Sequence, residues 1–312
     1  MTSEYPTTSI AATPSPAAAL PCPGLESSEQ PYPVSNSDPT GAFWKGKAAV
    51  ITGAAGGMGA LETARILQAG GTVFAVDVLA LSHESWDRLQ TAAGEHRPRL
   101  VPYTADIRRA EAWDNLKAEI AARKVPVHGL VNNAGITLRK TLTQTEPEEW
   151  DRLIGINLTG SFLAIRALAP VMSDGGSIVN ISSSAGLVGY FGAAYSASKW
   201  GLRGVTKAAA IELASRRIRV NSICPGLVDS DMTRKPNAVY DEEQAAAFYE
   251  ECRQSTPFGR GAHPEEVADL VMFLLGPQSS YITGTDIPVD GGMVAGGIYS
   301  RVGRAAGSIP EL

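Results

Sequence analysis

The strongest constraint on the fold is an alternation along the chain, which begins near Lys47. Short runs rich in Val, Ile and Ala alternate there with longer segments of helical period. This pattern is typical of parallel strands that helices cover on both faces. Seven strands are predicted, at residues 48–52, 72–76, 100–104, 129–132, 177–182, 219–224 and 286–289. The predicted helices span residues 57–69, 110–123, 148–172, 195–215 and 264–275.

Parallel strands joined by helices require right-handed crossovers, which give a doubly wound α/β sheet, the Rossmann fold, with its ligand crevice at the carboxyl ends of the strands. One such domain is predicted over residues 43–295. Residues 1–40 hold 8 of the 20 prolines and no Lys or Arg, so residues 1–42 are expected to be a disordered tail rather than a signal or transit peptide. A C-terminal tail is expected over residues 296–312.

Charge and composition exclude several function classes. A net charge of -5 and a pI near 5.5 argue against binding to nucleic acid. The three cysteines and four histidines show no metal-ligand spacing, so no metal site is expected. The longest apolar run found, residues 267–275, is about half of the ~20 residues that a membrane helix needs. We therefore expect a cytoplasmic protein with no membrane partner.

A glycine-rich turn, Thr52-Gly-Ala-Ala-Gly-Gly-Met-Gly59, joins the first strand to the first helix. Glycines permit a tight turn and leave no Cβ between the backbone and a pyrophosphate, while the helix N-terminus offers unpaired N–H groups. A strand-to-helix turn without a ligand would also account for this segment taken alone. The turn therefore predicts a dinucleotide site only together with other positions.

Asp77 supplies one such position, because it lies 24 residues after Gly53 at the end of the second strand. A carboxylate there accepts hydrogen bonds from an adenosine ribose and repels a 2′-phosphate. No Lys or Arg lies between Gly53 and Gly59 to neutralise such a phosphate, so the sequence favours NAD over NADP. The alternative is that Asp77 only caps the next helix.

The order of motifs resembles that of the short-chain dehydrogenase/reductase family over about residues 43–295. Its T-G-x-x-x-G-x-G turn, N-N-A-G segment and Y-x-x-x-K signature are matched by the glycine turn, by Asn132-Asn-Ala-Gly135 and by Tyr195-Ser-Ala-Ser-Lys199. Further matches are Asp106-Ile107, Asn157, Asn180-Ile-Ser-Ser183, Arg219-Val-Asn-Ser222 and Pro225-Gly226. Within the family, the chain most resembles the hydroxysteroid and secondary-alcohol dehydrogenases. Ser230 stands where the family pattern has threonine, and the active-site serine could instead be Ser182 or Ser184.

The resemblance implies a role for each matching residue. Tyr195 would be the general acid/base, Ser183 would hold the substrate oxygen, Lys199 would lower the phenol pKa and bind the nicotinamide ribose, and Asn157 would position a water for proton relay. Cofactor contacts are expected from Gly53, Gly57, Met58, Gly59, Asp77, Asp106, Ile107, Asn133, Tyr195, Lys199, Pro225, Gly226, Val228 and Ser230. Each of these residues could instead have a structural role, but their coincidence in order favours catalysis.

The substrate is expected to be a hydrophobic alcohol or ketone, alicyclic or steroid-like. Residues 227–260 fall where the family has a flexible lid, and apolar side chains there and near the serine could line a pocket or simply belong to the core: Met232, Tyr240, Phe248, Tyr249, Phe258, Leu187, Val188, Tyr190 and Phe191. Helices 148–172 and 195–215 resemble those that form subunit contacts in family tetramers, so a homotetramer is expected.

Two other functions fit parts of the pattern. An NADPH-dependent 3-oxoacyl-carrier-protein reductase would share every catalytic residue, but Asp77 argues against it. A non-catalytic Rossmann-fold scaffold would be expected to lack Ser183, Tyr195 or Lys199, and the chain keeps all three. A serine hydrolase is disfavoured because Ser183 does not lie in a G-x-S-x-G motif.

Overall fold

The computed structural model describes residues 42–310. Cys22 and all but the last residue of the predicted N-terminal tail, residues 1–42, therefore lie outside the described residues. Seven strands form one parallel sheet in the order β3-β2-β1-β4-β5-β6-β7. Their bounds are β1 Ala48–Thr52, β2 Thr72–Asp77, β3 Leu100–Thr104, β4 Val127–Asn132, β5 Met172–Ile181, β6 Arg219–Pro225 and β7 Asp286–Val289. The predicted α/β doubly wound sheet of seven strands is thus confirmed.

Ten α-helices occur within the described residues. They are α1 Gly57–Gln68, α2 Glu84–Ala93, α3 Ala110–Arg123, α4 Pro147–Ile154, α5 Gly160–Leu168, α6 Ala193–Glu212, α7 Asp231–Arg234, α8 Glu242–Gln254, α9 Pro264–Leu275 and α10 Met293–Ala305. A π-helical turn, Gly155–Thr159, joins α4 to α5, and a 3-10 turn, Ala169–Val171, follows α5, so the long helix predicted there is continuous but not uniform. The predictions for α3 and α9 match the observed bounds.

Alternate residues of the central strands enter two separate hydrophobic layers. Ala49 and Ile51 of β1 pack with side chains of α1, α2 and α9, whereas Ala48 and Val50 pack with side chains of α3, α5 and α6. Because successive side chains of a strand point to opposite faces, both faces of the sheet are buried. This explains why the central strands β1 and β2 appear in the sequence as nearly continuous apolar runs.

The sequence prediction omitted four helices. Helix α2 follows β2, α7 and α8 occupy the segment expected to be a lid, and α10 spans the boundary placed at residue 295. Helix α8 has a weak apolar face, with Ala245 as its one buried residue, so its helical period was hard to detect. Helix α10 is Gly-rich and contains a kink at Gly296, where φ is 141°.

One helical stretch is both long and high in mean hydropathy. Among the described residues, Pro147–Val171 spans 25 residues, and an 18-residue window within it has a mean hydropathy of 1.4, with 39% of the window buried. By length and composition alone, this stretch would suffice to cross a membrane. The stretch is not an unbroken apolar run, since scattered Gly, Asn, Thr and Ser interrupt it without lowering its mean hydropathy much. Core helices of globular proteins have the same property.

Glu62 of α1 is a carboxylate with no solvent exposure, and neither of its oxygens has a hydrogen-bond partner. Burial raises the pKa of Glu62 to about 8, from 4.5 in water. The folded state holds this proton, whereas the unfolded state releases it above pH 4.5. The contribution of protonated Glu62 to the free energy of unfolding is therefore complete below that pH. It is lost by about 1.4 kcal/mol per unit as the pH rises towards 8.

Glu62→Gln is therefore expected to stabilise the protein more at pH 8 than at pH 5, by a difference of at least about 2 kcal/mol. The measurement is the free energy of unfolding in urea at both pH values. Glu265→Gln, at an exposed position on α9, is the matched control and should show no such difference between the two pH values. An equal effect of Glu62→Gln at pH 5 and pH 8 would contradict a proton held by the folded state.

Candidate active site

A cleft of about 500 Å³ lies at the carboxyl ends of β1 to β4, across the point between β1 and β4 where the strand order reverses. Ligands of doubly wound sheets bind at this point. We call it the large cleft. Eight of the predicted cofactor residues line it: Gly53, Gly57, Met58, Asp77, Asp106, Ile107, Asn133 and Ser230.

The glycine turn is held close to the loop that follows β4. Gly53 has a φ of 65°, which favours glycine, and a Cβ on Gly59 would lie 2.3 Å from the Gly53 carbonyl oxygen. The Asn133 side chain donates to the Thr52 and Gly53 carbonyls, at 3.0 and 3.3 Å. Gly59 therefore permits close packing under the turn and does not line the cleft. A Cβ on Gly57 would meet only open space, so bare backbone borders the cleft there.

Two carboxylates lie at the far end of the large cleft. Asp77 accepts hydrogen bonds from the Ala55 and Leu79 amides, at 3.1 and 3.2 Å, so it stabilises the glycine turn as well as lining the cleft. Asp106 forms a two-pronged ion pair with Arg108, whose guanidinium holds the pKa of Asp106 below its usual value. The charge of Asp106 is thus already balanced by Arg108, a pairing that the sequence analysis did not anticipate.

Tyr195 and Lys199 lie one turn apart on α6 and face the same space. The Lys199 Nζ atom lies 5.6 Å from the centroid of the Tyr195 ring and donates to the Ile181 carbonyl oxygen at 2.8 Å. Burial lowers the pKa of Lys199 to about 8. Burial also raises the pKa of Tyr195, while the Ser183 hydroxyl and the Arg139 charge act in the opposite direction. The ammonium is therefore held where it can stabilise a phenolate.

Three serines follow β5, and their contacts distinguish them. The Ser182 hydroxyl donates to the Lys199 carbonyl at 3.0 Å and is 3% exposed, so it fixes α6 against β5. Ser183 faces the Tyr195 phenol and lines two smaller cavities, whereas Ser184 lines only one of them. Of the three serines that the sequence left open, Ser183 is the one placed to share a substrate oxygen with Tyr195.

Asn157 lies inside the π-helical turn between α4 and α5. Its amide accepts from the Ile136 N–H and donates to the Ile136 carbonyl, both at 2.9 Å, and it also donates to the Ser198 hydroxyl at 3.3 Å. These bonds fix the loop after β4 to α6, next to Lys199. The Asn157 side chain therefore bonds to Ile136 and Ser198 and not to the backbone of its own π-helical turn. A role of Asn157 in proton relay stays a prediction.

Two smaller cavities meet at Ser183 and Tyr195. One, of about 110 Å³, we call the inner pocket; it contains Lys199, Pro225, Gly226 and Val228, the remaining predicted cofactor residues that line a cavity. The other, of about 150 Å³, we call the side cavity. Its lining consists of Thr137, Arg139, Ser183, Ser184, Ala185, Tyr190, Tyr195, Gly226, Leu227, Met232, Thr233, Phe248, Cys252 and Met293.

The predicted apolar pocket is formed by only part of the expected set. Met232, Phe248 and Tyr190 line the side cavity. Tyr240 packs behind Phe248, with ring centroids 5.9 Å apart, and Phe191 packs behind Tyr190 at 4.5 Å. The other four expected residues do not line it: Leu187, Val188, Tyr249 and Phe258. Phe258 is 73% exposed, which also excludes it from the core.

Arg139 is a charged residue of the side cavity that the sequence analysis did not predict. It follows the N-N-A-G segment by four positions and is 5% exposed. The guanidinium lies over the Phe248 ring, 4.2 Å from its centroid, and donates to the Met232 carbonyl at 2.9 Å. Because both partners lie about a hundred residues further along the chain, no local pattern could have indicated that this arginine is buried.

Comparisons with known proteins bear on the family and the fold. Residues 53–294 match the family model described as enoyl-(acyl carrier protein) reductase. The trans-4-hydroxycyclohexanecarboxylate dehydrogenase of Sinomonas cyclohexanicum is 38% identical over 80% of this chain and 93% of its own. The 3-oxoacyl-[acyl-carrier-protein] reductase of Thermotoga maritima is also 38% identical, over 80% and 98%. A short-chain dehydrogenase/reductase structure from Brucella melitensis superimposes with a TM-score of 0.72 at 29% identity, covering 80% of this chain and 98% of that one.

Proposed function

Because the chain belongs to the short-chain dehydrogenase/reductase family, we propose that it interconverts an alicyclic secondary alcohol and its ketone by hydride transfer with NAD. Its relatives act as oxidoreductases, and the reaction type follows from family membership. The observation that carries the finer proposal is the meeting of Ser183 and Tyr195 at the wall between the inner pocket and the side cavity.

The residues of the large cleft fit a dinucleotide. Bare backbone at Gly56 and Gly57 borders the cleft, next to the N-terminus of α1, and accommodates a pyrophosphate. Asp77 keeps unused acceptor positions for ribose hydroxyls, because its two bonds to backbone amides occupy only half of a carboxylate's acceptor sites. Bound NAD supplies the hydride acceptor in oxidation, and NADH the donor in reduction.

The side chains at the meeting point divide the remaining work. Tyr195 takes the proton from the alcohol oxygen in oxidation and returns a proton to the ketone oxygen in reduction. Ser183 donates a hydrogen bond to the same oxygen, where negative charge develops. Lys199 favours the phenolate electrostatically and binds the nicotinamide ribose. Asn157 holds the loop after β4 in place beside Tyr195 and Lys199.

The side cavity favours a small ring over a four-ring steroid. Its volume of about 150 Å³ lies below the ~300–1,000 Å³ typical of pockets for drug-sized ligands. Tyr190, Phe248 and Met232 supply apolar walls. The name of the Sinomonas relative, a cyclohexane-ring alcohol dehydrogenase, supports the same substrate class.

A homotetramer is the proposed assembly. Large apolar side chains on the Pro147–Val171 stretch and on α6 stay exposed in the single chain: Trp150, Phe162, Val171, Trp200 and Ile211. Exposed apolar patches on one face mark a protein interface. Subunit contact through these helices would cover the part of the stretch that is not buried within one chain.

Turnover of cyclic secondary alcohols such as cyclohexanol, followed by absorbance of the reduced cofactor, tests the proposal. We expect kcat/KM to be at least about 10²-fold higher with NAD than with NADP, because Asp77 repels a 2′-phosphate. Asp77→Asn is expected to narrow this ratio at least tenfold. Asp87→Asn, at an exposed position of α2 outside the large cleft, is the control and should leave the ratio unchanged.

An unchanged NAD:NADP ratio in Asp77→Asn would show that Asp77 serves the turn alone. A preference of the wild-type protein for NADPH would instead favour the alternative, a 3-oxoacyl-carrier-protein reductase, to which the Thermotoga relative belongs. The absence of turnover with either cofactor across the alcohols and ketones would favour a non-catalytic dinucleotide-binding protein.

A further inference from the structure

Arg139 is a buried cation whose hydrogen-bonding capacity is only partly used. Its Nη2 atom donates to the Met232 carbonyl, but its Nη1 atom is buried without any hydrogen-bond partner. The rings of Phe248 and Tyr240 lie 4.2 and 5.2 Å from the guanidinium carbon and present only π faces to it. A buried charged donor without a partner is destabilising, so a missing partner for Nη1 is a physically meaningful feature.

The charge of Arg139 has no carboxylate partner in the described part of the chain. Among residues 42–310, no carboxylate lies within 4 Å of the Arg139 guanidinium, and neither Asp nor Glu lines the side cavity. Arginine does not lose its proton in proteins, so it cannot become neutral to relieve the cost of burial. An anion in the side cavity would both accept a hydrogen bond from Nη1 and balance the charge.

The charge of Arg139 acts on the groups that surround the side cavity. It lowers the pKa of Tyr195, of Tyr190 and of the Cys252 thiol, each of which burial raises. Arg139 and Tyr195 both line the side cavity, so the guanidinium and the phenol border the same space. A single small molecule in the side cavity could therefore reach both Arg139 and Tyr195.

We infer that the substrate carries a carboxylate, which Arg139 binds in the side cavity while Ser183 and Tyr195 hold the reacting oxygen. The planar fork of a guanidinium matches a carboxylate, and its bonds to charged groups are about twice as strong as neutral ones. The inference rests on the proposed oxidoreductase function and narrows its substrate to a small hydroxy- or oxo-carboxylic acid with a hydrophobic ring between the two polar groups.

The competing role for Arg139 is purely structural. Through Met232 of α7 and Phe248 of α8, the guanidinium connects the loop after β4 to the lid. If this were its only role, removal of the charge would affect the turnover of every substrate alike. A pair of ketones that differ only in charge separates the two roles.

The experiment compares reduction of 4-oxocyclohexane-1-carboxylate and 4-methylcyclohexanone by NADH. We expect wild-type kcat/KM to be at least about tenfold higher for the acid. Arg139→Met, which keeps the stem and removes the charge, should lower kcat/KM for the acid by about 10²-fold, mainly through KM, and lower that for the neutral ketone at least about tenfold less. Arg139→Lys, which keeps the charge without the fork, should fall between the two.

An equal loss for both ketones in Arg139→Met, or a wild-type protein with no preference for the acid, would overturn the inference. Unchanged NADH binding and an unchanged unfolding midpoint show that each variant folds. If the wild-type protein reduces neither ketone, the proposed function fails separately. Calorimetry with cyclohexanecarboxylate, with and without NADH, then decides the inference: at least tenfold weaker binding to Arg139→Met supports it, and equal binding overturns it. Cyclohexanecarboxamide is the neutral control.

Discussion

Tyr195→Phe is expected to lower kcat by about 10³-fold while leaving NADH affinity within about threefold of the wild-type value. The variant removes the phenol hydroxyl of a residue that lines both the inner pocket and the side cavity, and it keeps the ring that packs against Tyr190 at 5.9 Å. General acid–base catalysis contributes about 10²–10⁴-fold, so loss of the proton donor has an effect of this size. Steady-state turnover and fluorescence titration of NADH measure the two quantities.

The control for this variant is Tyr190→Phe. Tyr190 is a second phenol in the side cavity, but burial raises its pKa and it does not line the inner pocket. Its replacement should change kcat less than tenfold. Retention of kcat within tenfold by Tyr195→Phe, or equal losses in the two variants, would refute the assignment of Tyr195 as the acid/base.

Lys199→Met is expected to lower the oxidation rate near neutral pH by about 10²-fold and to shift the rise of kcat with pH upward by about two units. At an effective dielectric constant of about 20, unit charges roughly 5–6 Å apart interact by about 3 kcal/mol, which is about two pKa units. The Lys199 ammonium lies 5.6 Å from the Tyr195 ring centroid, and its own pKa is about 8. Below that pH it carries the charge that favours the phenolate, so its removal delays phenolate formation to higher pH.

The pH dependence of kcat for alcohol oxidation measures this effect. Lys207→Met, two turns further along α6 and half exposed beside Asp286, is the matched control and should leave the profile unchanged. Lys199→Arg keeps a positive charge and should restore part of the pH profile. A slow Lys199→Met variant with an unshifted profile would mean that Lys199 acts only on binding.

Fold prediction from the sequence succeeded where hydrophobic period and burial coincide. Strand β1 is buried along its whole length, so it is visible in the sequence as an apolar run with sharp ends. Helix α8 was missed because it packs over the site through few buried residues, and its sequence is dominated by charge. The π-helical turn at Asn157 could not be foreseen, since Gly155–Thr159 continues the helical hydrophobic pattern without a break.

The candidate site was predictable where one motif holds both the residue and its partner. Tyr195 and Lys199 lie on one helix, so their spacing predicts their proximity. The sequence does not distinguish Ser182, Ser183 and Ser184, because the distinction depends on which hydroxyl is hydrogen-bonded to α6 in the folded protein. It also gave no sign of Arg139 or Glu62, whose significance comes from the absence of partners in a folded interior.

Met232 borders all three cavities at once, the large cleft, the inner pocket and the side cavity, and its carbonyl is held by Arg139. A redesign aimed at new substrates that altered Met232 would disturb coenzyme affinity as well. Phe248 and Cys252 border the side cavity alone. Libraries that vary these two positions should therefore explore new alcohols while the coenzyme preference stays as it is.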